Sequence, residues 1–111
     1  MTVARITMVE YFSKEVGDDF EPKYSEVAPK SLPDANNLIL VRTSETSGMS
    51  IAIYKDEKTA ESTLADRKKM LEGFPDTFKD IWHMQGAVSL NFVNEKINTL
   101  RRACGSQIMA F

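Results

Sequence analysis

Four stretches of this chain alternate between two faces, and two others repeat at helical spacing. From Val3 to Phe12, one side carries Val3, Arg5, Thr7, Val9 and Tyr11, and the other Ala4, Ile6, Met8, Glu10 and Phe12. Both sides bear apolar bulk, as expected of a central strand covered on both faces. Ser13 to Asp19, with Gly17, reads as a loop. Asp18 or Asp19 then caps a helix, with Glu21 and Pro22 in its first turn, where both are favoured. Phe20, Tyr24, Val27 and Leu32 carry the helical spacing, and Pro29 and Pro33 are stop signals. The first helix is therefore expected near Phe20–Ala28, with an irregular segment running on through Asn36 and Asn37.

The run Leu38 to Thr43 is a second strand, and Ser44 to Gly48 a polar connection to a third, Met49 to Tyr54. Together they make a hairpin. Asp56 caps a second helix, with Glu57 near its positive end. Ala60, Thr63, Leu64, Arg67, Met70, Leu71 and Phe74 trace one face of it, and Gly73 followed by Pro75 stops it. Asp76 to Asp80 is expected to add one turn, with Phe78 pointing inward. Trp82 to Val93 has the clearest alternation and is the fourth strand. Its Trp82, Met84, Gly86, Val88, Leu90 and Phe92 face is expected to pack under the helices, leaving a mixed face of His83, Gln85, Ala87, Ser89, Asn91 and Val93. Residues 1–93 thus read as one domain. Residues 94–111 read as a C-terminal extension, a short helix ending at Gly105 and an apolar tail of Ile108, Met109 and Phe111.

Strand, helix, strand, strand, helix, strand is the split βαβ arrangement. Right-handed crossovers place both helices on one face of a four-stranded antiparallel sheet. The fold class is α+β, ferredoxin-like βαββαβ. The other face would expose a large apolar patch, which monomers seldom tolerate. A second copy is the simplest cover, since two-fold dimers are the commonest oligomers. A homodimer paired through its sheets is therefore expected.

Composition narrows the partners. The chain has 111 residues, 42% hydrophobic and 27% charged, with a net charge of −2. That balance builds no basic field for nucleic acid. Cys104 is the single cysteine, which leaves no internal disulfide and no thiolate metal site. No run reaches the ~20 apolar residues of a membrane span, and Met1 to Phe12 lacks the pattern of a signal peptide. A cytoplasmic protein without membrane partners is expected.

The run from Leu38 to Thr63, followed by a helix and the strand Ile81 to Val93, resembles the dimeric α/β-barrel proteins grouped with the antibiotic biosynthesis monooxygenases. The resemblance covers about residues 2–93 and rests on element order. It implies two sheets facing one another in a dimeric α/β barrel, with pockets between sheet and helices. It also implies the activities found in that group: cofactor-independent oxygenation of polycyclic aromatics, quinol oxidation, and haem degradation. The haem-degrading members use an Asn, a His and a Trp, types present here as Asn37 or Asn91, His83 and Trp82. Neighbouring strand residues point to opposite faces, however, so Trp82 and His83 do not readily line one pocket.

His83 is the only histidine, which excludes multi-histidine metal sites. It is a pocket base or donor on the functional reading, and an interface or surface residue on the structural one. Arg42, inside the second strand, either partners a phenolate or carboxylate or pairs with Glu10 or Glu45. A solvated edge-strand charge is its structural reading. Trp82 is a cavity wall or core. Tyr11, Tyr24 and Tyr54 offer hydroxyls to a polar ligand or simply pack, and Asn37 lines the site or makes a turn. Phosphate loops, paired cysteines and carboxylate clusters are absent. The expected function is cofactor-independent oxygenation of an aromatic or quinol-type small molecule, with His83 and Arg42 catalytic and Trp82, Tyr11 and Asn37 binding substrate. The alternative is a non-catalytic dimer of the same fold that binds a small ligand or a protein. An acylphosphatase-like hydrolase would need a cationic loop after the first strand, where Lys14 sits beside Glu15.

Overall fold

The computed structural model describes residues 1–94. Its elements are β1 (Val3–Tyr11), α1 (Lys14–Ser31), β2 (Asn37–Ser44), β3 (Ser47–Tyr54), α2 (Glu57–Ser62), α3 (Leu64–Glu72) and β4 (Phe78–Ala87). The strands form one antiparallel sheet in the order β2-β3-β1-β4. The expected ferredoxin-like α+β architecture is what forms. The C-terminal extension expected beyond Asn94 lies outside the described residues.

The helices cover one face of the sheet. Val3, Arg5, Thr7, Val9 and Tyr11 of β1 are all buried there. Val9, Tyr11, Phe20, Tyr24, Ala28, Leu32 and Met70 make the main cluster. Val3, Ala52, Tyr54 and Ala60 make a smaller one under α2. Phe20 sits at the centre, its ring edge-on to Phe74 at 4.9 Å and to Phe78 at 5.1 Å.

The first helix begins six residues before the expected Phe20. Ser13 caps it, its Oγ accepting from Val16 N–H at 3.2 Å, and both Pro22 and Pro29 lie inside it. Gly17 belongs to this helix, and its reason is packing. A Cβ there would stand 2.7 Å from Tyr11 Cδ2 and 2.8 Å from Arg42 Nη2. Burial of Gly17, Phe20, Tyr24 and Ala28 along one stripe outweighs the proline stop signals.

The second helix is two helices. Asp56 caps α2 as expected, accepting from Thr59 N–H at 2.7 Å. The chain then breaks at Thr63. There the Ala60 carbonyl accepts from Thr63 N–H at 3.3 Å, Thr63 Oγ1 at 2.8 Å and Arg5 Nη2 at 2.7 Å. An arginine from the sheet thus reaches into the helix where its ladder is interrupted.

The fourth strand departs most from expectation. It starts at Phe78, which pairs with Tyr11 across a bulge, and ends at Ala87 opposite Val3. One more bond, Val88 N–H to Thr2 O at 2.9 Å, closes the ladder. The alternation continuing to Val93 lies outside the sheet, with Leu90 and Phe92 exposed. Its facing is also inverted. The register sets Trp82 beside Met8 and Met84 beside Ile6, and His83 beside Thr7 and Gln85 beside Arg5. Cross-strand partners share a face, so His83 and Gln85 lie on the helix side. Trp82 and Met84 lie on the open face. Apolarity misled here because the open face is itself apolar.

Candidate functional site

The helix side of the sheet is incompletely roofed. The helices pack on β1, β2 and β3, while Ile81, His83 and Gln85 of β4 stay exposed. A groove therefore runs between α3 and the inner face of β4, lined by Arg5, Leu64, Arg67, His83, Met84 and Gln85. Arg5 and Arg67 also line a cavity further in, walled by Thr7, Phe20, Tyr24, Ser50, Tyr54 and Met70 among others. The two arginines stand where groove and cavity meet.

Arg5 is 5% exposed. Its Nε and Nη2 donate to Gln85 Oε1 at 3.3 and 3.1 Å, Nη1 to Thr63 Oγ1 at 3.3 Å, and Nη2 to Ala60 O. Its guanidinium carbon stands 5.4 Å from the Tyr54 ring centre. Arg67 Nη2 donates to Thr7 Oγ1 at 2.7 Å and to His83 Nδ1 at 2.6 Å. Among the described residues neither arginine pairs with a carboxylate.

That donation fixes the state of His83. A guanidinium has only hydrogens to offer, so Nδ1 is the acceptor and the ring is neutral with its proton on Nε2. Thr7 Oγ1, 3.3 Å from Nδ1, can add a second hydrogen bond. Burial first, then the charges of Arg67 and Arg5, hold the imidazole below the usual histidine range. Burial and the neighbouring Arg5 likewise hold Arg67 below the usual arginine range. Burial pushes the Tyr24 hydroxyl up, partly offset by a hydrogen bond with Ser50. The Tyr54 hydroxyl is fully buried and has no partner among the described residues.

Only His83 of the expected site residues belongs to this cluster. Arg42 lies on β2 at the opposite edge, three strand spacings or ~14 Å from β4. Its carboxylates are neither Glu10 nor Glu45 but Asp18 at 3.1 Å and Glu21 at 3.3 Å on α1. It also donates to the carbonyls of Ser44, Lys14 and Glu45 at 3.0, 3.2 and 2.6 Å. Arg42 is thus a clasp fastening the β2–β3 hairpin to α1, with its cation 5.3 Å from the Tyr11 ring centre. Tyr11 is 1% exposed and donates to Glu21 Oε2 at 3.2 Å. Burial, then the Glu21 carboxylate, pushes its phenol well above the usual range. Asn37 is exposed at the start of β2 on the open face. Trp82 is half exposed on that face, the opposite side from His83.

Sequence reasoning missed Arg5 and Arg67. Their signal was present: each is a cation at a position whose neighbours along the face are apolar.

No protein-family model and no curated protein matches this chain. Solved structures do. A putative antibiotic biosynthesis monooxygenase from Bacteroides thetaiotaomicron superposes with TM-score 0.63 at 18% identity, covering 84% of this chain and 94% of that one. SnoaB, a cofactor-independent oxygenase from Streptomyces nogalater, gives 0.62 at 13% identity, covering 84% and 98%. A dimeric ferredoxin-like protein from an uncultured marine organism gives 0.66 at 11%, covering 84% and 92%. The chain shares the fold of the monooxygenase-like structures that its element order suggested.

Proposed function

We propose that this protein is a small oxygenase-like enzyme that holds an aromatic or quinol-type molecule in the groove beneath α3 and uses no bound cofactor. The observation that carries the reading is the convergence of donors, Arg5, Arg67 and the Nε2–H of His83, on one apolar-walled site. Cofactor-free oxygenation requires an ionised substrate to react with oxygen. Fixed positive groups in a water-poor site stabilise that anion. His83 serves as a hydrogen-bond donor here, since Arg67 occupies its basic nitrogen. Similarity of fold to a cofactor-independent oxygenase supports the class without naming the substrate.

The working unit is a homodimer joined through the open sheet face. Met8, Ile39, Val41, Trp82 and Met84 stand 37–50% exposed on that face, in continuous cross-strand rows with Met49, Ile51 and Ile6. Such a patch in one chain calls for a cover.

Oxygen uptake with anthrone- and quinol-type substrates tests the reading, and silence across that set, with no binding, would sink it. The engaged Nδ1 of His83 favours a second reading, a non-catalytic ligand binder. It would show ligand-induced stabilisation without oxygen uptake.

A further inference from the structure

The groove and cavity hold two cations and, among the described residues, no carboxylate to balance them. A buried charge without a counter-charge is costly, and here the two cations also oppose each other. A substrate that ionises only during reaction would leave that cost standing between turnovers. A ligand charged before it binds would relieve it.

The remaining hydrogen-bond capacity has the same sign. An arginine carries five N–H donors. Arg67 engages the described residues through Nη2 alone, which leaves its Nε–H and its two Nη1 hydrogens as charged donors without an acceptor among those residues. The Tyr54 hydroxyl, fully buried on the wall of the same cavity, has no partner among the described residues. A buried polar group in that condition needs a water or a ligand to answer it. A neutral quinol could accept from these donors but would bring no charge to balance the two cations.

Size agrees. The free space inside the cavity is about 30 Å³ for the centre of a water-sized sphere, room for roughly two waters. That suits a single –CO₂⁻ group and not an aromatic ring system. The groove outside is open, with about 260 Å³ by the same measure. Leu64, about half exposed, flanks it with apolar surface.

We propose that the ligand is an organic acid whose carboxylate lodges between Arg5 and Arg67 and accepts from the Tyr54 hydroxyl, with its apolar body lying along Leu64. This rests on the groove being the ligand site, as proposed above, and specifies the ligand class.

Calorimetric titration with benzoate and 4-phenylbutyrate, against benzamide as the neutral isostere, tests it. The carboxylates bind, and benzamide binds at least about tenfold more weakly. Arg67→Gln weakens benzoate by about thirtyfold or more, the scale for truncating one partner of a buried charged pair. Tyr54→Phe, which keeps the ring and its packing, weakens it severalfold with the circular dichroism spectrum unchanged. Benzamide binding as tightly as benzoate, no binding by any of the three compounds, or both variants binding benzoate normally would each overturn the proposal. Oxygen uptake from a neutral quinol that saturating benzoate does not inhibit would overturn it too, while leaving the oxygenase reading standing. Carboxylate binding with no oxygen uptake from any substrate would support it while removing the oxygenase reading.

Discussion

Arg67→Met isolates what the cluster costs the fold. Methionine keeps length and flexibility, so it follows the path of the arginine stem. The substitution removes two short charge-assisted hydrogen bonds, at 2.7 and 2.6 Å, whose loss costs at least ~3 kcal/mol at ~1.5 each, the low end for bonds to a charged group. Neither acceptor is left orphaned. Thr7 Oγ1 and His83 Nδ1 already lie 3.3 Å apart, so the threonine hydroxyl can donate to the ring, recovering ~1 kcal/mol. Against the remaining loss of ~2 kcal/mol stands removal of a half-buried cation beside a second cation, a penalty of several kcal/mol per buried ion that is smaller for a group still in partial contact with water. The net is stability unchanged or ~1–2 kcal/mol higher.

Urea unfolding followed by far-UV circular dichroism, at one fixed protein concentration because association shifts apparent stability, measures it. A ~1 kcal/mol gain appears as a urea midpoint ~0.5 M higher at an m-value of about 2 kcal/mol/M. The sole histidine gives a single imidazole titration by NMR. Its pKa lies below the ordinary ~6.5 in the parent and rises in the variant, because the nearer of two cations has gone. A loss above ~2 kcal/mol, with the imidazole unmoved, would refute the reasoning and make Arg67 a structural strut.

Three further outcomes follow from the geometry. Gly17→Ala gains ~1 kcal/mol of helix propensity yet lowers stability overall by ~1–2 kcal/mol. Its methyl would stand 2.7 Å from a buried tyrosine ring, and thermal unfolding above the parent temperature would contradict this. Met8→Lys places a charge in the middle of the open face and converts a dimer to a monomer in light scattering. A parent already monomeric at micromolar concentration would remove the premise. The folded-state pKa of His83 is depressed, so its contribution is fully present above ~6.5 and fades as pH falls through the folded value. His83→Gln should flatten the stability loss between ~pH 7 and 5, and parallel pH curves for parent and variant would exclude the effect.

Element order, the central position of β1 and the shape of the β2–β3 hairpin were legible because they depend on local alternation and on connection rules. Helix limits were not. Gly17 and Pro22 carry loop and stop signals, and only the tertiary stripe of Phe20, Tyr24 and Ala28 against Tyr11 overrides them. The facing of β4 was illegible for a related reason. Alternation tells which residues share a face, but with two apolar faces in the sheet it does not tell which face meets the helices. The register with β1 decides that, and register is a non-local property.

The same ambiguity explains why the site was half found. Alternation puts His83 on a mixed face of the fourth strand, and Arg42 stands out as a cation inside a strand. Arg5 is also a cation inside a strand, but in an interior one, where it is 5% exposed. The physics distinguishes them sharply. An edge arginine can turn toward carboxylates on a neighbouring helix, and Arg42 does, reaching Asp18 and Glu21. A central-strand arginine on the helix face has no such freedom. It must be satisfied by whatever surrounds it, and here that is a broken helix, a glutamine on the neighbouring strand and a second arginine nearby. A fold free to choose would place an aliphatic residue at that position, as it does at Val3 and Val9 on the same strand. Retaining a cation there, and adding another beside it, makes sense where the balancing charge arrives with the ligand.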